Sequence, residues 1–234
     1  KYLSFNTDNS NMVLNGNGAT LKFSDSNYVG GYRIYISGTE QSLPAISADI
    51  PFNSSQVTFI APHGLSIGDV IAIKSEALTD YQGSTGAVRR IGELFTVSRV
   101  VSPTVIITDE SAIYDYLVSD SATAAKYNTV SNLTIKDLHI IDAGLDPTGA
   151  TVESQRAIHM QYTKNAAIEN VTIENCSGFA ITARNSINWR VSDCYLSQGQ
   201  TDDILTFAQY GIAINDFSRG GRISGLTVKG FKEG

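Results

Sequence analysis

Three acidic residues carry the sharpest chemistry this sequence offers. Asp202 and Asp203 are adjacent, and Glu153 lies in a second polar stretch. Repulsion between neighbouring carboxylates raises the pKa of one of them and so pairs a general acid with a base. Cleavage of a glycosidic bond uses such a pair, about 5–5.5 Å apart for retention of configuration or about 6.5–9.5 Å apart for inversion. Asp202, Asp203 and Glu153 are therefore the expected catalytic residues. His159, Gln161, Arg184 and Asn215 are the expected substrate-binding groups, with the single tryptophan, Trp189, as a ring for stacking. Arg184 suits a carboxylate on the substrate, and His159, near Arg156, suits proton transfer. Asp142, Asp146, Asp202 and Asp203 lack the spacing of a calcium loop, so neither a metal nor a cofactor is expected.

Residues so far apart act together only if the fold converges them. Asn, Ser, Thr and Gly number 15, 25, 20 and 20 of 234 residues, about a third of the chain, and all are poor helix formers. The composition predicts an all-β protein. A net charge of −6 without basic runs argues against nucleic acid as a partner, and no apolar stretch is long enough to insert in a membrane. Cys176 and Cys194 fit no metal spacing and are expected as small apolar fillers. Lys1 is not an initiator Met, and Lys232-Glu233-Gly234 follows a strand-like run, so the expectation is a segment of a longer chain, with further coils at both ends.

An internal repeat supplies the geometry. Val130-Leu133-Ile135, Ile168-Val171-Ile173, Val191-Cys194-Leu196 and Ile223-Leu226-Val228 share one spacing, at offsets of 38, 23 and 32 residues. A bare coil of 23 residues then leaves additions in the polar stretches 142–155 and 200–209, at one phase of the repeat. Second short strands follow at 157–161, 179–183 and 211–215, with Ile158, Ile181 and Ile212 aligned. Short strands joined by Asn, Ser and Gly turns at a fixed period describe a solenoid, since a single coil cannot bury its own apolar face. If the aligned isoleucines point inward, alternation sends His159, Thr182 and Ala213 outward, together with Gln161, Arg184 and Asn215. An antiparallel sandwich is the competing architecture, but its strands would lack a fixed phase.

Between about Ala45 and Tyr116 the phase vanishes. Runs at 56–60, 69–73, 93–97 and 104–108 predict four strands of a small barrel or sandwich. The expected organisation is N-terminal coils over 1–44, an inserted β domain over 45–117, and further coils over 118–234. Asn15–Phe23 and Tyr32–Ile36 read as earlier coils.

The run Ile-Glu-Asn-Val-Thr-Ile-Glu-Asn-Cys-Ser-Gly-Phe (168–179), with its repeats, resembles the pectate-lyase-like right-handed parallel β-helix superfamily. Asn15-Gly-Asn-Gly-Ala-Thr-Leu, with His63-Gly-Leu-Ser-Ile-Gly-Asp69 and Gly92-Glu93 before Phe95-Thr-Val97, is similar to bacteriophage tailspikes and capsule depolymerases, which often carry a small β domain between early coils. The resemblance implies a right-handed parallel β-helix that acts on a bacterial surface polysaccharide, by hydrolysis before elimination. It also implies a homotrimer and an extracellular place on a virion tail. A non-catalytic glycan-binding or structural segment is the alternative. Polygalacturonase-like members carry Asn-Thr-Asp-Gly-Phe-Asp where this chain has Asn175-Cys-Ser-Gly-Phe179, so their catalytic assignment does not transfer.

Overall fold

A computed structural model describes residues 2–23, 31–82, 88–142, 156–176, 178–198 and 210–231. The chain forms two compact units, Lys1–Gly38 with Thr129–Gly234, and Thr39–Asn128. The first unit opens with β1 (Leu3–Phe5), β2 (Val13–Lys22) and β3 (Tyr32–Ser37). The second holds β4 (Thr39–Ser42), β5 (Gln56–Thr58), β6 (Val70–Gln82), β7 (Val88–Ser102), β8 (Val105–Thr108) and β9 (Thr123–Asn128). The first unit then resumes with β10 (Val130–Ser131), β11 (Thr134–Ile141), β12 (Arg156–Gln161), β13 (Thr163–Lys164), β14 (Ala167–Cys176) and β15 (Phe179–Arg184). It closes with β16 (Arg190–Ser192), β17 (Tyr195–Gln198), β18 (Ile212–Asn215), β19 (Arg222–Ser224) and β20 (Thr227–Lys229).

In the first unit every strand pairs in parallel with its counterpart one coil away. One sheet runs β1-β3-β12-β15-β18, and a second runs β2-β11-β14 and continues through β16 with β17 to β19 with β20. A short third sheet, β10-β13, extends through single bridges at Ile187 and Arg219. This is a right-handed parallel β-helix, the handedness that parallel crossovers favour. Ile34, Ile158 and Ile181 are in register and fully buried, with Ile212 next in the row.

The corners explain the Asn-rich composition. Asn132, Asn165 and Asn188 hold positive φ at one corner (55°, 55° and 55°), and Asp137, Asn170 and Asp193 at the next (53°, 50° and 55°). Asn and Asp reach this left-handed region at low cost, and their side chains bond to the coil beside them. Asn165 Nδ2 donates to Asn132 Oδ1 at 3.0 Å, and Asn132 Nδ2 donates to Asn11 Oδ1 at 2.8 Å. In the last coil glycine takes both places: a Cβ on Gly220 would stand 2.4 Å from Asn188 Oδ1, and one on Gly225 2.2 Å from Asp193 Oδ1.

These corners also correct one alignment. Thr134–Ile135 pairs with Ala167–Ile168, so the first member of the repeat is Ile135-Leu138-Ile140 and not Val130-Leu133-Ile135. Val130 belongs instead with Thr163. The confusion has a physical source: both corners read inward, outward, left-handed, inward, outward, inward, and their apolar spacing is identical. Asn15–Phe23 and Tyr32–Ile36 contribute β2 and β3, on successive faces of the helix, to its earlier coils.

The helix core is mainly aliphatic, through Leu133, Ile168, Val171 and Leu196, with Phe5 and Trp189 as aromatic members. Among the described residues one ion pair is fully enclosed. Arg33 Nε donates to Asp142 Oδ1 at 2.6 Å, with side-chain exposures of 1% and 0%. Cys176 is free and buried; burial pushes its thiol up to about 12, with Asp142 adding to the shift, so it is an inert filler. The second unit is a single six-stranded antiparallel sheet, β4-β9-β6-β7-β8-β5, over a core that includes Ile71, Ile73, Phe95 and Ile106. It spans 39–128 where the sequence suggested 45–117, because β4 and β9 pair with each other and β9 with β6.

Candidate functional site

The outer face of the sheet β3-β12-β15-β18 gathers most of the predicted binding residues. Gln161, Arg184 and Asn215 occupy one register position on β12, β15 and β18. The position two residues earlier is Tyr35, His159, Thr182 and Ala213. Tyr35 Oη donates to Gln161 Oε1 at 3.3 Å and so ties the two rows together. Arg184 donates through Nε to Asp216 Oδ2, which Asn185 Nδ2 also reaches at 3.3 Å. Asp216 raises the pKa of Arg184 further by that hydrogen bond.

A third row escaped the sequence analysis. Counting two residues back from the aligned isoleucines gives Tyr32, Arg156, Phe179 and Tyr210. The guanidinium of Arg156 lies 5.4 Å from the ring centroid of Tyr32 on one side and 5.4 Å from that of Phe179 on the other, and Phe179 stacks on Tyr210 at 5.5 Å. Tyr32 also stacks on Tyr35 at 4.6 Å and on His159 at 4.7 Å. The result is a ladder of rings interrupted by one cation, running along the helix axis. Flat apolar rings beside fixed donors suit the C–H faces and hydroxyls of a sugar. The signal was present in the isoleucine alignment, two positions away.

His159 differs from its expected role at the surface. It is 1% exposed, stacked against Tyr32 and Tyr35, which also stack on each other, with Nδ1 in hydrogen-bond contact with the Thr182 hydroxyl. Burial, reinforced by the charges of Arg156 and Arg184, pulls its pKa down to about 3. The imidazole is therefore neutral in the folded protein over the ordinary pH range. Unfolding restores a value near 6.5, so between those two limits the unfolded chain binds more protons. Stability is complete above pH 6.5 and falls on acidification at a rate of about 1.4 kcal/mol per pH unit from this one group. A His159→Gln variant is expected to lose that slope in urea titrations between pH 6 and 4; an unchanged slope would refute the buried neutral imidazole.

Trp189 requires a correction. It is 2% exposed and belongs to the helix core, so it does not present a ring to a substrate. Its register column is Leu133, Ala166, Trp189 and Gly221, with each backbone bonded to the next coil. Large and small residues alternate there: the indole fills the room its neighbours leave, and a Cβ on Gly221 would lie 2.1 Å from its ring. Glu153, Asp202, Asp203 and Asp146 lie outside the described residues.

Residues 95–234 match the family model described as right handed beta helix region, and residues 42–128 match that of the K1 capsule-specific polysaccharide lyase, Rider domain. No curated protein matches the chain. Among solved structures it is similar to the tailspike protein gp49 from Pseudomonas phage LKA1, with a TM-score of 0.72, 15% identity, and coverage of 97% of this chain and 37% of that one. It is also similar to the Gp54 tailspike of Acinetobacter baumannii bacteriophage AP22, solved in complex with A. baumannii capsular saccharide, with a TM-score of 0.60, 18% identity, and coverage of 96% and 39%. A third is the Pseudomonas phage phi297 tailspike gp61, at 0.59, 16%, and coverage of 93% and 39%. The chain thus spans under two fifths of the length of each.

Proposed function

The chain belongs to the right-handed β-helix family, and from that premise we propose that it is the sugar-handling part of a tailspike-type protein that binds and depolymerises a bacterial surface polysaccharide. The observation that carries this reading is the ring-and-cation ladder Tyr32-Arg156-Phe179-Tyr210, flanked by the Gln161-Arg184-Asn215 row. A stacked solenoid presents such rows at a spacing of about 4.8 Å per coil, so a long polymer can be gripped at several successive units. The likeness to tailspikes supports an extracellular place on a virion tail and assembly as a homotrimer. Light scattering of the full-length protein should return three times the chain mass.

Hydrolysis is the first reading of the chemistry, with Asp202, Asp203 and Glu153 as the acid–base residues. Elimination is the second, favoured by the match of residues 42–128 to the lyase-associated Rider domain and by Arg156 within the aromatic row, which would neutralise a uronate-type carboxylate. Product analysis separates them: a new saturated reducing end marks hydrolysis, and an ultraviolet-absorbing unsaturated sugar marks elimination. Asp202→Asn or Asp203→Asn is expected to lower the release of oligosaccharide by about 100-fold or more, the usual scale for a lost acid or base. Full activity in both variants eliminates the assignment.

A further inference from the structure

A second concave site lies on the other long sheet of the helix. There β2 runs beside β11, but where β11 spends one residue on the corner, Asp137, β2 spends three, Gly16-Asn17-Gly18. The extra residues form a lip. Asn17 and Gly18 both take positive φ, 48° and 78°, and Asn17 N–H is capped by Asn15 Oδ1 at 2.9 Å. Gly16 packs so tightly that a Cβ would stand 2.6 Å from the Asp137 carbonyl oxygen and 2.7 Å from Leu138 Cδ1. Gly18 meets nothing within 4 Å and faces open space. Below the lip is a cavity of about 380 Å³, lined by Asn17, Gly18, Asp137, His139, Asn170 and Thr172, with Leu138 as its apolar contribution. That volume is in the range of sites that hold small molecules, about 300–1,000 Å³.

The lining mixes polar and apolar surface, and its polar groups are already ordered. Asn170 Nδ2 donates to Asp137 Oδ1 at 2.8 Å, and Lys136 Nζ lies 3.9 Å from Asp137 Oδ2. His139 is held from two sides, with Thr20 Oγ1 at 3.4 Å from Nδ1 and Glu174 Oε2 at 3.2 Å from Nε2. Among the described residues the ammonium beside the site, that of Lys136, already lies against Asp137, and an acidic ligand would face the carboxylates of Asp137 and Glu174. Fixed carboxylate, carboxamide and hydroxyl groups beside a small apolar patch match the vicinal hydroxyls and C–H face of an uncharged pyranose.

We propose that this corner pocket is a binding site for a neutral hexopyranose unit, separate from the arginine-bearing face on the opposite run of strands. It requires no bond cleavage, so it stands or falls apart from the depolymerase reading. The test is saturation-transfer NMR on the full chain with methyl β-glucopyranoside, methyl β-galactopyranoside and N-acetylglucosamine, with glucuronate as the charged comparison. At least one neutral sugar is expected to receive saturation. Asp137→Asn keeps a residue suited to positive φ and should weaken that binding roughly fivefold. Thr172→Leu, which fills the cavity from an outward-facing strand position, should abolish it while leaving the circular dichroism and melting temperature in place. Absence of transfer to every neutral sugar, persistence of binding in Thr172→Leu, or stronger binding of glucuronate overturns the proposal.

Discussion

Asp142→Ala is expected to cost about 3–5 kcal/mol of folding stability. The reason is that Arg33 cannot follow its partner out. The pair is enclosed, at 1% and 0% exposure, with Arg33 Nη2 2.5 Å from Asp142 Oδ1 and the guanidinium lying over the Phe23 ring. A guanidinium stays protonated at any accessible pH, so the variant must keep a positive charge in the interior without its buried carboxylate or break its coil to hydrate it. The reverse expectation holds for the pair removed together: Arg33→Met with Asp142→Leu should recover most of the loss, since a matched apolar replacement has neither charge to bury. Urea unfolding of the single and double variants decides the matter. A single-variant loss below about 1 kcal/mol would mean that Arg33 reaches water.

Trp189→Ala is expected to be nearly as severe, at about 3–5 kcal/mol, because it leaves a cavity in a column whose other members are already fitted to the indole. Ala166 and Gly221 are small because Trp189 is large, and neither can expand to fill the gap. Sugar affinity of the folded fraction should be unchanged. Calorimetric melting alongside binding by the residual folded protein distinguishes this from a ring at the surface, whose removal would weaken binding and leave the melting temperature alone.

How far the sequence went is visible in these two columns of residues. Strand and coil periodicity revealed the solenoid because its stacking demands one apolar phase, and Ile158, Ile181 and Ile212 align in space as they align in the chain. The same periodicity could not distinguish the two corners, whose inward spacings are alike, and so Val130 was matched to the wrong partner. Side-chain direction at a corner does not follow strand alternation, which is why Trp189 gave no sign of facing inward. The Gln161-Arg184-Asn215 row was legible because alternation does govern the middle of a strand. Arg156, Phe179 and Tyr210 were missed because the strands at 157–161, 179–183 and 211–215 were outlined one residue short of the row or on its edge. The burial of His159 depends on its stacked tyrosines and on Thr182, contacts between residues that lie far apart in the chain.

The parallel ladders carry one more implication. In most folds a cut peptide bond frees a segment to drift away, but here each coil is clasped above and below by hydrogen bonds that run along the axis of the cylinder and not along the chain. Severing the backbone between two turns removes one link and leaves the whole clasp in place. Such an architecture lets a nicked molecule keep its form.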